Sequence, residues 1–590
     1  MEKQNKQCQN CQQNFVIEPE DFGFYEKMKV PPPTWCPECR LMRRLAWRDG
    51  RTMYKSQCAL CGETMFSMYA PESDYIVYCQ SCWFSDKWDP MFYGRDCDFS
   101  RSFFEQFDEF LKKVPRPATN SKNSPTSPYC NNVTGCKNCY LVFGAYFSED
   151  CLYSDPIFSK VSLDSNILLS GDHAYETVSC SRIYNTKFSY FVSDSFDSAF
   201  LFDCRGCSNC FGCVNLRNKK YYIFNQPYTK EEYQKRVVEF DLGSYQKLEA
   251  LKKQFKKFYY SIPHRFALFS NVTNATGNDI NNSKNCLNCF SCKDGVEDCK
   301  YIFFAGLSLR DSYDVTAAGD KSQLLYETSG SVGASKVFFS KTASHGHDIY
   351  YSEQVTNCSD IFGCTNLRNK SYCIFNKQYT KEEYFELRDK IIQQMKERPY
   401  TNSVGIKYGY GEYFPVELAP LPYNNSWVQD FFPLTKEEVA QKKYRWQDNK
   451  ERNYQITIAS AQLPDHIKDV PDSISKEILE CTHHGECEED CTTAFRILPE
   501  ELKFYRQMNL ALPRLCPNCR YKQRLQWTNR PKLWRKACQC AGKQSDNNIY
   551  PNTSIHFHGA NPCPTEFETS YAPDRPEIIY CEKCYQEEFI

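Results

Sequence analysis

Cysteine pairs near both ends of the chain constrain its fold more than any other feature. A C-x-x-C turn places two thiols on one side of a tight loop, and two such turns can surround a metal ion with four sulfurs. The C-terminal region repeats much of the N-terminal one 480 residues later, where Cys36 and Cys39 correspond to Cys516 and Cys519. We therefore expect a metal-binding module at each end. The N-terminal region has four of these pairs: Cys8/Cys11, Cys36/Cys39, Cys58/Cys61 and Cys79/Cys82.

The setting of these cysteines favours zinc over disulfides. The chain has 590 residues and 35 cysteines, and its first residues lack the apolar run of a secretory signal. We therefore expect a cytoplasmic protein, in which thiols stay reduced. Four sulfurs leave a zinc ion no open position, so such sites are structural rather than catalytic. The prediction is two zinc ions at the N-terminus and up to two at the C-terminus.

The C-terminal ligands are less regular than the N-terminal ones. Glu488 stands where the offset places a counterpart of Cys8, and an insertion of 22 residues carries His556, His558 and Cys563. The predicted C-terminal ligands are Cys487, Cys491, Cys516, Cys519, Cys538, Cys540, Cys581 and Cys584. The alternatives that remain open are Cys481, His483, His484 and Cys563.

The middle of the chain also repeats itself. Residues 207–233 match residues 358–384 at an offset of 151. Short apolar runs recur about every ten residues with polar turns between them, which is typical of a sandwich, a barrel or a β-solenoid. Recurring Asn, Ser, Cys and aromatic residues favour a duplicated parallel β-solenoid, in which like residues stack on successive coils.

Each half of this middle region ends in a predicted helix. Thr229 with Glu232, and Thr380 with Glu383, have the spacing of capping boxes, in which a threonine oxygen and a glutamate satisfy unpaired backbone amides. A helix at this point would cover the strand edges that are exposed at the open end of a solenoid.

The central cysteines form a C-x-x-C-x-x-C-x-x-C run from Cys204 to Cys213, which invites a metal cluster. The internal repeat argues against that interpretation, because Cys204 and Cys210 correspond to Val355 and Ile361. An aliphatic side chain can replace a core thiol but cannot replace a ligand. We therefore expect these cysteines to line a core, with a metal cluster as the alternative.

These patterns divide the chain into six segments. The predicted segments are a double zinc module at 1–99, a helix and linker at 100–129, the first solenoid half at 130–260, the second at 261–395, a connector at 396–480, and the C-terminal zinc module at 481–590.

Basic and aromatic side chains gather beside the C-x-x-C pairs Cys36/Cys39 and Cys516/Cys519, which we call knuckles. Residues 514–536 hold eight Lys and Arg residues and no acidic one. Basic groups neutralise phosphates, and aromatic rings stack on unpaired bases. We therefore predict contact with RNA or DNA through these residues: Arg40, Arg43, Arg44, Arg48, Arg520, Lys522, Arg524, Arg530, Lys532 and Arg535.

Other interpretations stay open. The arginines could instead pair with acidic groups of this chain, whose net charge of −1 excludes a generally basic coat. A scaffold for a protein partner on the solenoid face is the main alternative function. A carbohydrate-active enzyme is a further one. The sequence has no P-loop, dinucleotide fingerprint, nucleophile elbow or H-E-x-x-H motif, and we expect a non-enzymatic protein. No run approaches the roughly 20 apolar residues of a membrane helix.

The knuckles Cys36-Pro37-Glu38-Cys39-Arg40 and Cys516-Pro517-Asn518-Cys519-Arg520 resemble those of the bacterial zinc-ribbon or treble-clef family. Over nearly its full length the chain resembles a group of uncharacterised, cysteine-rich bacterial proteins, which implies zinc binding and a bacterial cytoplasm. The expected fold is therefore mixed and mainly β: a duplicated parallel β-solenoid with capping helices, flanked by N- and C-terminal treble-clef or zinc-ribbon modules.

Overall fold

The computed structural model describes residues 2–448, 454–542 and 550–590. Contacts divide the chain into two compact units, each built from two separated stretches. Unit 1 comprises Met1–Asn120 with Phe269–Asp448, and unit 2 comprises Ser121–Leu268 with Asn449–Ile590. Each unit therefore combines one cysteine-rich end of the chain with one half of the repeated middle.

The N-terminal stretch consists of short hairpins and helices. Pro19 begins the first helix, which has acidic residues in its first turn. In chain order the elements are β1 (Gln4–Gln7), β2 (Asn14–Ile17), α1 (Pro19–Met28), α2 (Pro37–Ala46), β3 (Tyr54–Gln57), β4 (Thr64–Ser67), β5 (Val77–Tyr78), α3 (Gln80–Trp83), α4 (Phe103–Lys113) and β6 (Arg116–Pro117).

A long parallel sheet follows and belongs to unit 2. It has eleven strands in chain order, and only its last pair is antiparallel. Most neighbours pair twelve residues apart, as Lys160 does with Asp172 and Asp172 with Tyr184. The strands are β7 (Ser121–Lys122), β8 (Asn131–Thr134), β9 (Phe143–Tyr146), β10 (Pro156–Ile157), β11 (Lys160–Leu169), β12 (Asp172–Ser181), β13 (Tyr184–Tyr190), β14 (Phe196–Phe202), β15 (Ser208–Val214), β16 (Lys220–Ile223) and β17 (Gln226–Pro227).

Two helices and a short strand complete this stretch: α5 (Lys230–Phe240), α6 (Tyr245–Ser261) and β18 (His264–Arg265). The predicted capping box at the start of α5 is present, since Thr229 accepts from the Glu232 amide and the Glu232 carboxylate accepts from the Thr229 amide. Buried residues on one face of α6, among them Leu248 and Phe255, join the hydrophobic core of unit 2.

The second long sheet lies in unit 1 and again has eleven strands. Its first pairs are thirteen residues apart, as in Val296 with Leu309, and the spacing shortens to twelve from the pair Gln323 with Ser335. The strands are β19 (Phe269–Lys293), β20 (Val296–Gly306), β21 (Leu309–Gly319), β22 (Ser322–Ser329), β23 (Ser335–Phe338), β24 (Lys341–Ser344), β25 (His347–Tyr350), β26 (Glu353–Thr356), β27 (Ser359–Phe362), β28 (Ser371–Ile374) and β29 (Lys377–Gln378).

The remaining elements are short apart from the helix that follows the second sheet, which starts at the predicted Thr380–Glu383 capping box. None of the helices in the described ranges is long and apolar enough to span a bilayer. The elements are α7 (Lys381–Glu397), β30 (Tyr400–Thr401), β31 (Lys407–Tyr408), α8 (Val428–Phe431), α9 (Lys436–Gln441), β32 (Leu479–Glu480), β33 (Ala494–Phe495), α10 (Pro499–Gln507), α11 (Pro517–Leu525), β34 (Trp534–Ala537), β35 (Glu566–Thr569), β36 (Ile579–Tyr580) and α12 (Glu582–Phe589).

The central cysteines are buried in a core lined by side chains of the first sheet, as predicted. Cys204, Cys207, Cys210 and Cys213 are all buried. The Cys207 sulfur lies 3.5 Å from one backbone carbonyl and 3.6 Å from another, so its thiol can donate to either. The Cys207 amide in turn donates to the Ser195 hydroxyl, twelve residues earlier. Small polar side chains can recur here because many of them satisfy backbone groups in a neighbouring strand or turn.

Candidate metal centres

Two four-sulfur clusters lie in the N-terminal stretch. In the first, Cys8 follows β1 and Cys36 caps the N-terminus of α2, so a hairpin and a helix face each other. The Cys36 amide donates to the Cys8 sulfur at 3.2 Å, and the sulfurs of Cys11 and Cys36 are 3.7 Å apart. The ligand atoms of Cys8, Cys11, Cys36 and Cys39 all lie within 4.8 Å of one another.

The second cluster repeats this geometry with Cys58, Cys61, Cys79 and Cys82. The Cys79 amide donates to the Cys58 sulfur at 3.2 Å, and the sulfurs of Cys61 and Cys79 are 3.8 Å apart. Burial raises the pKa of the Cys58 thiol, but amides of Cys79, Cys61 and Leu60 outweigh burial and lower its pKa to about 6. The thiolate that a metal requires is therefore favoured at this position.

The sulfur distances fit metal coordination. Zinc–sulfur bonds of about 2.3 Å place the corners of a tetrahedron about 3.8 Å apart, whereas a disulfide bond is about 2.05 Å long. The cysteines of both clusters are free thiols, and the sulfur pairs named above are 3.7 and 3.8 Å apart. These clusters could therefore hold metal ions, as the sequence predicted.

The third cluster differs from the predicted ligand set at one position, where it contains an alternative that the sequence left open. Cys481 follows β32 as Cys8 follows β1, and its sulfur accepts from the Cys516 amide at 3.2 Å. Cys481, Cys491, Cys516 and Cys519 form the group of four, whereas the prediction had Cys487 in place of Cys481. The loop between the first two ligands is longer here than in the first cluster. It places Cys481, rather than Cys487, as the first ligand, ten residues before Cys491. The sulfur of Cys487 lies nearby, 3.8 Å from that of Cys519.

The fourth cluster also differs from the prediction at one position. Cys538 follows β34 and accepts from the Cys581 amide at 3.1 Å, and Cys563 lies 3.8 Å from Cys581. The group of four sulfurs is Cys538, Cys563, Cys581 and Cys584, so Cys563 takes the place predicted for Cys540. The insertion brings Cys563 back beside the knuckle, and Cys540 faces histidines of the same insertion.

Five of the arginines predicted to meet nucleic acid are buried instead. In unit 1, Arg40 and Arg44 of α2 lie 2.9 and 3.2 Å from Asp314 of β21, and Arg43 lies 3.0 Å from Glu327 of β22. Their side chains are at most 1% exposed. They are therefore not part of an exposed basic surface, because they hold α2 against the second sheet.

The same arrangement recurs in unit 2. Arg520 and Arg524 of α11 lie 3.0 and 2.7 Å from the two carboxylate oxygens of Asp164 on β11. Burial lowers the pKa of the Arg520 guanidinium, but Asp164, Tyr505 and Glu501 outweigh burial and raise its pKa above the usual value. These two arginines thus also serve an internal contact.

The other predicted contacts lie nearer the surface. Arg530 is exposed, Arg535 pairs with Glu566 at 2.5 Å, and the Lys532 amine lies 5.7 Å from the centre of the Trp534 ring. Arg48 and Lys522 are partly buried; the Arg48 guanidinium lies over the Trp427 ring and the Lys522 amine lies 3.8 Å from Asp490.

A cavity of about 500 Å³ in unit 2 was not foreseen from the sequence. Its walls include Tyr190, whose ring stacks on Trp527 at 3.9 Å, and the ion pair of Glu176 with Lys252 at 3.3 Å. An aromatic wall beside paired charges can accommodate a small ligand that is flat and polar. Its lining comes from both stretches of unit 2, so no local motif could have indicated it.

Comparisons with known proteins add little to this picture. No protein-family model and no curated protein matches the chain. Among solved structures it is similar to a candidate acetyltransferase from Desulfovibrio desulfuricans G20, at 8% identity and a TM-score of 0.10, over 50% of this chain and 85% of that one. A likeness this weak carries no conclusion about fold or activity.

Proposed function

We propose that the protein is a zinc-binding, non-enzymatic recognition protein in which treble-clef-like modules support two β-solenoids. One observation carries the proposal: in all four clusters an amide at a helix N-terminus donates to the sulfur of the first cysteine, at 3.1 or 3.2 Å. Four thiolates suit zinc and fill its tetrahedral shell. Zinc at these sites would stabilise the fold rather than carry out chemistry.

Two features support the solenoid. Parallel neighbours twelve residues apart would make each twelve-residue stretch one coil. Every third residue from Val161 to Asp203 has a positive φ, between 45° and 57°, which would turn the chain at four corners of each coil. Asn and Asp tolerate this conformation better than other non-glycine residues, which accounts for their frequent recurrence in the repeated region.

Zinc binding is tested by counting metal ions in the reduced, full-length protein. The double variant Cys36→Ser/Cys39→Ser should contain one zinc ion fewer per chain than the wild type, because it removes half of one shell. The matched control Cys207→Ser/Cys213→Ser should keep the wild-type count, because these thiols line a core. Loss of zinc from the control, or iron in the wild type, would contradict the assignment.

The recognition surface is proposed to contact RNA or DNA through the basic side chains that are not buried. Support comes from Arg530 and Arg535, whose side chains reach solvent, and from Lys532 beside the Trp534 ring. Because these residues follow one another along the chain, they could track a phosphate backbone while the indole stacks on a base.

This contact is tested by fluorescence anisotropy with 20-nucleotide oligo(U) and oligo(dT). Binding should weaken as salt rises, and the triple variant Arg530→Ala/Lys532→Ala/Arg535→Ala should bind at least about tenfold more weakly with a smaller salt slope. Arg182→Ala, which removes an exposed arginine paired with Asp194 on the first sheet, is the control and should bind as the wild type does. Equal binding by the triple variant would exclude this surface.

A protein partner on the first sheet is the second candidate. Tyr184 and Phe196 are paired neighbours on β13 and β14, and both rings are nearly half exposed. Phe147 and Phe158 are also exposed to solvent, and their rings stack with centres 5.9 Å apart. Exposed aromatic rings are common anchors in protein interfaces. Failure of both oligonucleotides to bind would favour this candidate.

A further inference from the structure

A second group of ligand atoms adjoins the fourth cluster and shares one of its cysteines. Cys540, His556, His558 and Cys584 each offer one atom, and these atoms lie within 4.8 Å of one another. The His556 Nδ1 atom is 3.1 Å from the Cys540 sulfur, and the His558 Nε2 atom is 3.2 Å from the Cys584 sulfur. Cys584 also belongs to the four-sulfur group with Cys538.

Both imidazole rings are held at their far nitrogens by hydrogen-bond acceptors. His556 Nε2 lies 3.0 Å from the Glu588 carboxylate, with both side chains fully buried, and His558 Nδ1 lies 2.6 Å from the Asn561 carbonyl oxygen. An acceptor at one nitrogen places the ring proton there, which leaves the lone pair of the other nitrogen directed at the sulfurs. Metal-binding histidines have this second contact in most proteins.

Further hydrogen bonds hold Glu588 and Cys540 in place. The Glu588 carboxylate also accepts from the Tyr550 hydroxyl at 2.7 Å and from the Thr553 amide at 2.8 Å. The Asn552 side-chain amide donates to the Cys540 sulfur at 3.2 Å. Separate hydrogen bonds therefore orient His556, through Glu588, and Cys540, through Asn552.

The donor set also favours a second cation. The two groups together contain five cysteines, four of them in the four-sulfur group and Cys540 in the other. A tetrahedral zinc ion takes four ligands, so one ion at the four sulfurs leaves Cys540, His556 and His558 unused. With Cys584 these three offer two sulfur and two nitrogen atoms within 4.8 Å of one another.

We propose that the C-terminal cluster is a binuclear zinc centre in which the Cys584 thiolate bridges two ions. One ion has four sulfur ligands, and the other has Cys540, His556, His558 and Cys584, a two-sulfur, two-nitrogen set that also suits zinc. The bridge rests on the proposed zinc site at the four sulfurs, since without that ion Cys584 has nothing to connect.

The first experiment counts metal ions in the full-length, reduced protein. We expect five zinc ions per chain in the wild type and four in His556→Asn/His558→Asn. The matched control is His345→Asn/His347→Asn, two histidines at the same spacing in unit 1, which should keep five. Four ions in both the wild type and the variant would overturn the binuclear centre and leave the four-sulfur sites intact. Fewer than four in the wild type would contradict the proposed function itself.

Two further measurements guard against a variant that misfolds. After replacement of zinc by ¹¹³Cd, the NMR spectrum should show one resonance shifted from the four-sulfur resonances towards the mixed sulfur–nitrogen range, and it should be absent from the histidine variant. Glu588→Gln keeps every ligand but alters the partner of His556, and should weaken the fifth ion about 10- to 100-fold in competition with a chromogenic chelator. An unchanged affinity in Glu588→Gln, or no mixed-ligand resonance, would overturn the inference.

Discussion

At the scale of single residues, the arginines show how similar sequence patterns can serve different roles. Arg524 and Arg530 lie six positions apart in the same basic run, yet the first is buried against Asp164 and the second is exposed. Composition does not distinguish a guanidinium that meets phosphate from one that meets an internal carboxylate, because both need the same donors. The difference arises because Arg524 lies on α11, which packs against the first sheet, whereas Arg530 lies beyond the end of that helix.

This burial makes a prediction about stability. Asp164→Asn should lower the free energy of unfolding by about 3–5 kcal/mol, because Arg520 and Arg524 would remain buried without their shared carboxylate. Asp194→Asn, in the turn between β13 and β14, removes an exposed partner of Arg182 and should cost less than about 1 kcal/mol. Urea unfolding followed by tryptophan fluorescence gives both values. Equal effects of the two substitutions would show that the buried pair has no special role.

At the scale of elements, the helix starts were the most predictable features. The predicted capping boxes at Thr229 and Thr380 are both present, and the structure has the same kind of cap at Thr435 and a side-chain cap at Ser102. A cap depends on residues within one turn, so its signal is entirely local. Ligand choice in the C-terminal clusters was less predictable because it depends on where long loops return.

The caps give a second stability prediction. Thr380→Ala should destabilise the protein by about 1 kcal/mol, because an amide in the first turn of α7 loses its acceptor. Thr380→Ser retains the oxygen and should cost much less, which makes it the control. Thr229→Ala tests the same contact in the other unit. A serine variant as unstable as the alanine variant would assign the effect to the lost methyl group rather than to the cap.

At the scale of the whole molecule, the two units combine segments that are far apart in sequence. The N-terminal cysteine region joins the second sheet, and the C-terminal one joins the first. Arg44 with Asp314, and Arg524 with Asp164, show the same kind of contact in both units. The sequence repeats indicated two cysteine-rich ends and two β-rich halves, but not which end packs on which half. Each end has the same local pattern whichever half it packs on.

The sequence by itself determined the features that have local causes. C-x-x-C turns specified the paired cysteines, capping boxes specified helix starts, and the repeat identified Cys204 as a core residue. Only the tertiary structure decided that Cys481 and Cys563 complete the C-terminal four-sulfur groups, because coordination depends on which sulfurs come within about 3.8 Å of one another. It also decided that most of the basic residues beside the knuckles face carboxylates, because burial depends on the element that packs against them.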